Sequence, residues 1–93
     1  MKTITYRPFP LGRTFATPGA LERLHPEDIL AALSRHTGCD WGDCGAQDWR
    51  ENDNSVTEYL RLFSVYRDRH GAKFWIITEA DRSATTILLP DEY

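Results

Sequence analysis

The chain has 93 residues, a formal net charge of −3 and a hydrophobic content of 41%. This length fits one domain, residues 1–93, and the composition is typical of a packed globule rather than a disordered tail. The longest apolar runs, such as Phe74–Ile77, are far shorter than the ~20 residues that span a bilayer. We therefore expect a cytoplasmic protein without a membrane partner, whose two cysteines are reduced thiols.

Acidic residues are concentrated in the middle of the chain. Residues 38–58 carry six acidic side chains and one basic side chain, whereas residues 1–37 carry a small basic excess. A nucleic-acid-binding protein needs clustered lysines and arginines to contact phosphates. The charge distribution therefore disfavours nucleic acid as the partner.

The N-terminal third predicts a short strand followed by two helices. Residues 2–7 alternate before the first proline and favour an edge strand. Thr17 and Pro18 are a typical helix start, and this short helix should direct Leu21 and Leu24 inward.

The second helix has clear start and stop signals. Pro26 suits its first position, and Gly38 suits the position just beyond its end. Ile29, Leu33 and His36 share one side of this helix, with Leu30 beside them.

The segment after Gly38 has weaker signals. Asp43 could cap a short helix over residues 46–52 that turns Trp49 inward, and residues 52–55 favour a loop.

The C-terminal third predicts three strands in an antiparallel meander. The strands cover residues 60–67, 73–78 and 83–89, and turns at 68–71 and 79–82 connect them. The predicted fold class is therefore α+β, with an N-terminal short strand and two to three helices packed on a C-terminal three-stranded antiparallel β-meander. The first or third of these strands could pair across a dimer if it lay at a sheet edge.

The acidic segment is the main candidate for a binding surface. An Asp-Trp pair occurs twice, and aromatic anchors surrounded by carboxylates suit contact with a basic protein. The predicted partner-binding residues are Asp40, Trp41, Asp43, Asp48, Trp49, Glu51 and Asp53. The alternative places each tryptophan in the core, with the carboxylates facing water.

A metal site is a weaker possibility. His36, Cys39 and Cys44 lie within nine positions of each other and carry the nitrogen and sulfur ligands that zinc prefers. Four residues separate the cysteines, however, and there is no second cysteine pair. We therefore expect no cofactor, with a helix-terminal histidine and two half-buried thiols as the simpler explanation.

No residue set specifies catalysis. Glu79, Asp81, Arg82 and Ser83 crowd one turn, but Ser83 is not in a nucleophile elbow and the phosphate-loop, dinucleotide and zinc-protease motifs are absent. A polar turn with a local Asp81–Arg82 pair explains these residues, so we do not expect an enzyme.

Three stretches resemble a family of short bacterial proteins described as plasmid-related, which are carried on plasmids and integrative elements. These stretches are residues 11–21, residues 40–43 (Asp-Trp-Gly-Asp) and residues 75–93, of which the last is the most specific. The resemblance covers nearly the whole chain and implies a bacterial, mobile-element setting, but it implies no catalytic residue.

These observations favour a non-enzymatic protein-binding module with an acidic face. In the setting that the resemblance implies, it could inhibit a host defence system in the manner of anti-CRISPR or anti-restriction proteins. One alternative is a small metal-linked regulatory or enzymatic domain. Another is a DNA-binding accessory protein for plasmid maintenance that uses the region of Arg7, Arg13 and Arg23, although no helix shows groove-reading residues.

Overall fold

The computed structural model describes residues 8–93, which form a four-stranded mixed sheet with helices packed on one face. The elements in chain order are β1 (Arg13–Ala16), α1 (Pro18–Arg23), α2 (Pro26–Thr37), α3 (Ala46–Glu58), β2 (Leu62–Arg67), β3 (Lys73–Thr78), β4 (Ala84–Leu88) and a 3-10 turn, Pro90–Glu92. The predicted α+β class is confirmed. The strand predicted over residues 2–7 lies outside the described residues.

The strand order is β1-β4-β3-β2. Strands β2, β3 and β4 form the predicted antiparallel meander, and β1 pairs parallel with β4, with Arg13 opposite Ala84. Strand β1 was not predicted, because its four residues have neither sustained alternation nor a β-branched run. The meander becomes a mixed sheet through this one short strand.

Helix α1 begins as predicted, but Leu21 faces solvent instead of the core. Thr17 accepts a hydrogen bond from the backbone N–H of Ala20 at 3.2 Å, and Pro18 occupies the first turn. Ala20 and Leu24, four residues apart, face the sheet, and Leu21 is 67% exposed. The prediction that Leu21 points inward is therefore wrong, because so short a helix packs only a narrow stripe.

Helix α2 agrees with the prediction at both ends and on its buried side. His36 is fully buried, and Ile29 and Leu33 pack against the core. Leu30, which lies beside this stripe, remains 67% exposed.

Helix α3 is longer than predicted. It continues through residues 52–55, where a loop was predicted, and Gly45 rather than Asp43 precedes its first turn. Asn52 and Ser55 are buried, and Asn52 bonds both backbone groups of Phe63. These tertiary hydrogen bonds favour helix in a segment whose composition is typical of a loop.

The core consists of two adjoining clusters. The larger lies between α1, α2 and the centre of the sheet: Ala20, Leu24, Ala32, Tyr66, Phe74, Ile76, Ile87 and Leu89. The smaller consists of Phe9, Trp41 and Leu62, with Trp49, Val56 and both cysteines packed against it. Helix α3 is thus attached through the smaller cluster, next to β2.

Candidate interaction surfaces

Trp41 belongs to the core and not to a contact surface. Its side chain has no exposed area and stacks on Phe9, with ring centroids 6.2 Å apart. Its indole Nε1 donates to Asp53 Oδ1 at 2.9 Å. The assignment of Trp41 to a partner-binding surface is therefore wrong. Burying a large aromatic ring stabilises a small core more than leaving the ring at the surface would. Trp49 is half-buried against the same cluster.

Two of the predicted binding carboxylates are engaged in ion pairs. Asp40 accepts from Arg35 at 2.8 and 3.2 Å, and the pKa of its carboxyl is lowered mainly by this hydrogen bond. Asp43 accepts from Arg67 Nε at 2.7 Å. Much of the negative charge of residues 38–45 is thus balanced locally.

The remaining acidic residues are in α3. Asp48, Glu51 and Glu58 are exposed, and none of them forms an ion pair with any residue of the described chain. Their spacing places them along one side of the helix. We call this group the acidic face. Asp48 and Glu51 line a small cleft of about 230 Å³, whose other lining residues are Asn52, Ser55, Arg61 and Phe63.

Hydrogen bonds on two sides hold helix α3, which carries the acidic face, against the rest of the protein. Asn52 donates to Phe63 O at 2.8 Å and accepts from Phe63 N at 3.0 Å. The outward-facing backbone groups of this β2 residue therefore have hydrogen-bond partners. The hydrogen bond from Trp41 Nε1 to Asp53 holds the other side of the helix.

Arg82 stabilises the C-terminal end of α3. Its guanidinium donates to the carbonyl oxygens of Ser55 and Leu60 at 2.8 and 2.6 Å. These groups lie at the negative end of the helix macrodipole, where a cation is favourable and where α3 has no basic residue of its own. The predicted local Asp81–Arg82 pair is therefore wrong, because Arg82 is 6% exposed and points inward.

His36 lies at the centre of a buried chain of hydroxyl groups. Its Nδ1 is 2.6 Å from Ser64 Oγ, and its Nε2 is 2.9 Å from Thr78 Oγ1. Thr78 Oγ1 is 2.7 Å from Thr85 Oγ1, which donates to Leu11 O at the same distance. Burial lowers the pKa of His36 to about 3, so the ring is neutral in the folded protein.

The structure does not assemble His36, Cys39 and Cys44 as metal ligands. Both ring nitrogens of His36 are occupied by hydroxyl groups, and both thiols pack against the smaller core cluster. Within residues 8–93, no group of three or more potential ligands lies together. Burial raises the pKa of both thiols, which keeps them protonated and weakly nucleophilic.

The arginines suggested for DNA contact do not form a basic patch within the described residues. The guanidinium of Arg13 lies over the ring of Phe15, and Arg23 lies 3.8 Å from Asp91. Arg7 lies outside the described residues.

An apolar groove lies beside β1, on the opposite side of the molecule from the acidic face. It has a volume of about 450 Å³ and no charged residue in its lining: Thr14, Phe15, Ala16, Leu21, Leu24, Pro26, Ile29, Leu30, Leu33 and Ile87. Leu21 and Leu30 are each 67% exposed at its rim, and Phe15 is 46% exposed. The groove was not predicted, because it depends on the exposure of Leu21, which was expected to point inward, and of Leu30, which lies beside the buried side of α2.

The two edges of the sheet differ. The outer edge of β2 is covered, because Val65 exchanges backbone hydrogen bonds with Trp41 and Asp43, and Asn52 bonds Phe63. At the other edge, β1 has no second neighbour among residues 8–93. The prediction that β2 or β4 could pair across a dimer is therefore wrong, since β4 is internal and β2 is covered.

Within residues 8–93, no helix is long and apolar enough to cross a membrane. No protein-family model, no curated protein and no solved structure matches the chain.

Proposed function

We propose that the protein is a non-enzymatic binding module that uses the acidic face of α3 to bind a protein with a basic surface. The observation that carries this proposal is the row of exposed carboxylates, Asp48, Glu51 and Glu58, which have no ion-pair partner within residues 8–93. The other acids of the segment mostly satisfy groups of the protein itself.

The rigidity of α3 supports this proposal. A helix held at both sides and at its C-terminal end needs no backbone reordering on binding, so binding costs less conformational entropy and the spacing of the carboxylates along the helix is kept. Unpaired charges of one sign also accelerate encounter with an oppositely charged partner. The acidic face is therefore suited to attracting a basic surface and to fixing its orientation.

The setting implied by the resemblance suggests the class of partner. A host defence complex that binds nucleic acid offers a basic groove, and a row of carboxylates can occupy it in place of phosphates. We therefore propose an inhibitor of such a complex as the biological role.

The test uses two matched double variants as bait in a bacterial lysate. Asp48→Lys with Glu51→Lys reverses the acidic face, and Glu22→Lys with Glu27→Lys makes the same change of net charge on α1 and α2. Each double variant removes one acid from the first turn of a helix, so the two helices lose similar macrodipole stabilisation. Captured proteins are identified by mass spectrometry.

We expect the wild type and the Glu22/Glu27 variant to capture the same partner, which has a basic surface. The Asp48/Glu51 variant should lose this partner while its circular dichroism spectrum remains that of the wild type. Equal capture by the folded Asp48/Glu51 variant would overturn the proposal.

A further inference from the structure

The side chains of β1 leave the edge of the core unfilled. Thr14 and Ala16 pair with Thr85 and Ile87, whose side chains are buried on the helix-covered side of the sheet. Both residues of β1 are small, so space remains between the strand and the helices α1 and α2. This space is the apolar groove.

The backbone beside the groove has hydrogen-bonding capacity directed outward. Arg13 N donates to Ser83 O and Thr17 N donates to Ile87 O, both toward β4 and its flanking turn. Because backbone groups alternate in direction along a strand, the N–H and C=O groups of Thr14 and Ala16 point away from β4. Within residues 8–93 nothing pairs with this edge. An apolar groove next to an open strand edge favours an added extended strand.

We propose that β1 pairs antiparallel with β1 of a second copy of this chain, about a twofold axis at Phe15. In this register, Thr14 of one copy and Ala16 of the other exchange both backbone hydrogen bonds, and the reciprocal pair does the same. Arg13 lies opposite Thr17, so no like charges meet across the strands. The two Phe15 rings meet on the sheet face opposite the helices.

Three features of the molecule fit a second copy of the chain at this edge. The groove has no charged lining residue, so the grooves of two copies can meet without electrostatic repulsion. The twofold arrangement brings Leu21 and Leu30 of both copies together over the joined sheet and removes exposed apolar area. The covered β2 edge prevents further strand addition, so assembly closes at two copies.

Sedimentation equilibrium tests the pairing directly. The wild type should have twice the 10.7 kDa chain mass. Leu30→Lys places a charge in the joined groove, and Thr14→Pro removes one outward N–H of β1. Each should raise the dimer dissociation constant at least about tenfold. Leu60→Lys, which changes a leucine that is 52% exposed near the opposite edge, is the matched control and should stay dimeric.

A wild type that sediments as a monomer up to a concentration of about 1 mM would overturn the inference. So would a dimer that resists both Leu30→Lys and Thr14→Pro, or one that Leu60→Lys dissociates equally. A monomer whose Thr14 and Ala16 amides resist hydrogen exchange would show that the same chain fills the edge, which also overturns it. The Asp48/Glu51 variant should keep the dimer mass, so this test is independent of the proposed function.

Discussion

His36 shows how one buried polar residue organises the centre of this fold. A neutral imidazole offers one donor and one acceptor, and the hydroxyl groups of Ser64 and Thr78 can each take the complementary role. The chain then continues through Thr85 to a backbone carbonyl, so the ring joins α2, three strands and residue 11. A fully satisfied network of this kind specifies one arrangement of the core.

We predict that His36 makes the stability of the protein fall with acidification. Its pKa is about 3 in the folded state against 6.5 as the ordinary value, so between these values only the unfolded state binds the proton. The contribution of His36 to stability is therefore fully present above about pH 6.5 and declines as the pH falls towards 3. The slope approaches about 1.4 kcal/mol per pH unit.

Guanidinium denaturation at a series of pH values measures this slope. The variant His36→Gln should be less stable at neutral pH but should lose less stability on acidification than the wild type. His70→Gln, at an exposed histidine in the β2–β3 turn, is the matched control and should keep the wild-type slope. Identical slopes for the wild type and His36→Gln would contradict this account.

At the scale of elements, α3 and the edge of β2 depend on each other. The helix contains asparagine, aspartate, serine and threonine in a composition that disfavours helix. Trp49 and Val56 pack on the smaller core cluster. Three hydrogen-bonded contacts stabilise the helix further: Asn52 with the β2 backbone, Arg82 with carbonyl groups at the helix end, and Trp41 with Asp53. In return, Asn52 occupies backbone groups of β2 that would otherwise be open to another strand.

We predict that Asn52→Ala destabilises the protein by about 1 to 3 kcal/mol, since Phe63 N loses its partner and Phe63 O keeps only the weak thiol donor of Cys44. Asn54→Ala is the matched control at an exposed position of the same helix and should change stability by less than about 0.5 kcal/mol. Urea denaturation of both variants measures the difference. If the two substitutions cost the same, Asn52 does not anchor α3 to β2.

The elements with strong local signals were predictable from sequence. Helix α2 has a proline at its start, a glycine at its end and an apolar side, and β3 was predicted with its observed bounds. The extension of α3 and the existence of β1 were not predictable, because both depend on distant partners: Phe63 for Asn52, and β4 for β1. The local sequences of these segments do not indicate which distant residues they will contact.

The candidate site was predictable only in part. The sequence shows that acids cluster in residues 38–58, but it did not reveal which of these acids form ion pairs. Asp43 pairs with Arg67, which is 24 residues away in the sequence and is brought near only by the fold. Asp40 pairs with Arg35, which is five residues away, but the acidic composition does not show that the two side chains meet. Trp41 had two possible locations, and burial in the core is the one observed.

At the scale of the whole molecule, the two proposed surfaces lie at opposite ends of the sheet. Strand β1 is at one edge, and α3 packs beside β2 at the other. A dimer joined through β1 would therefore carry one acidic face at each end of a continuous eight-stranded sheet. Two such faces on one particle allow bivalent binding, which raises avidity when both sites of a partner can be reached together.

The most direct test of the central claim is the salt dependence of binding to the captured partner. If the acidic face carries the interaction, the affinity of the wild type should fall at least about tenfold between about 50 mM and 300 mM salt. The Asp48/Glu51 variant should bind weakly at both salt concentrations, and the Glu22/Glu27 variant should follow the wild type. Wild-type affinity that is independent of salt and unaffected by reversal of Asp48 and Glu51 would contradict the account.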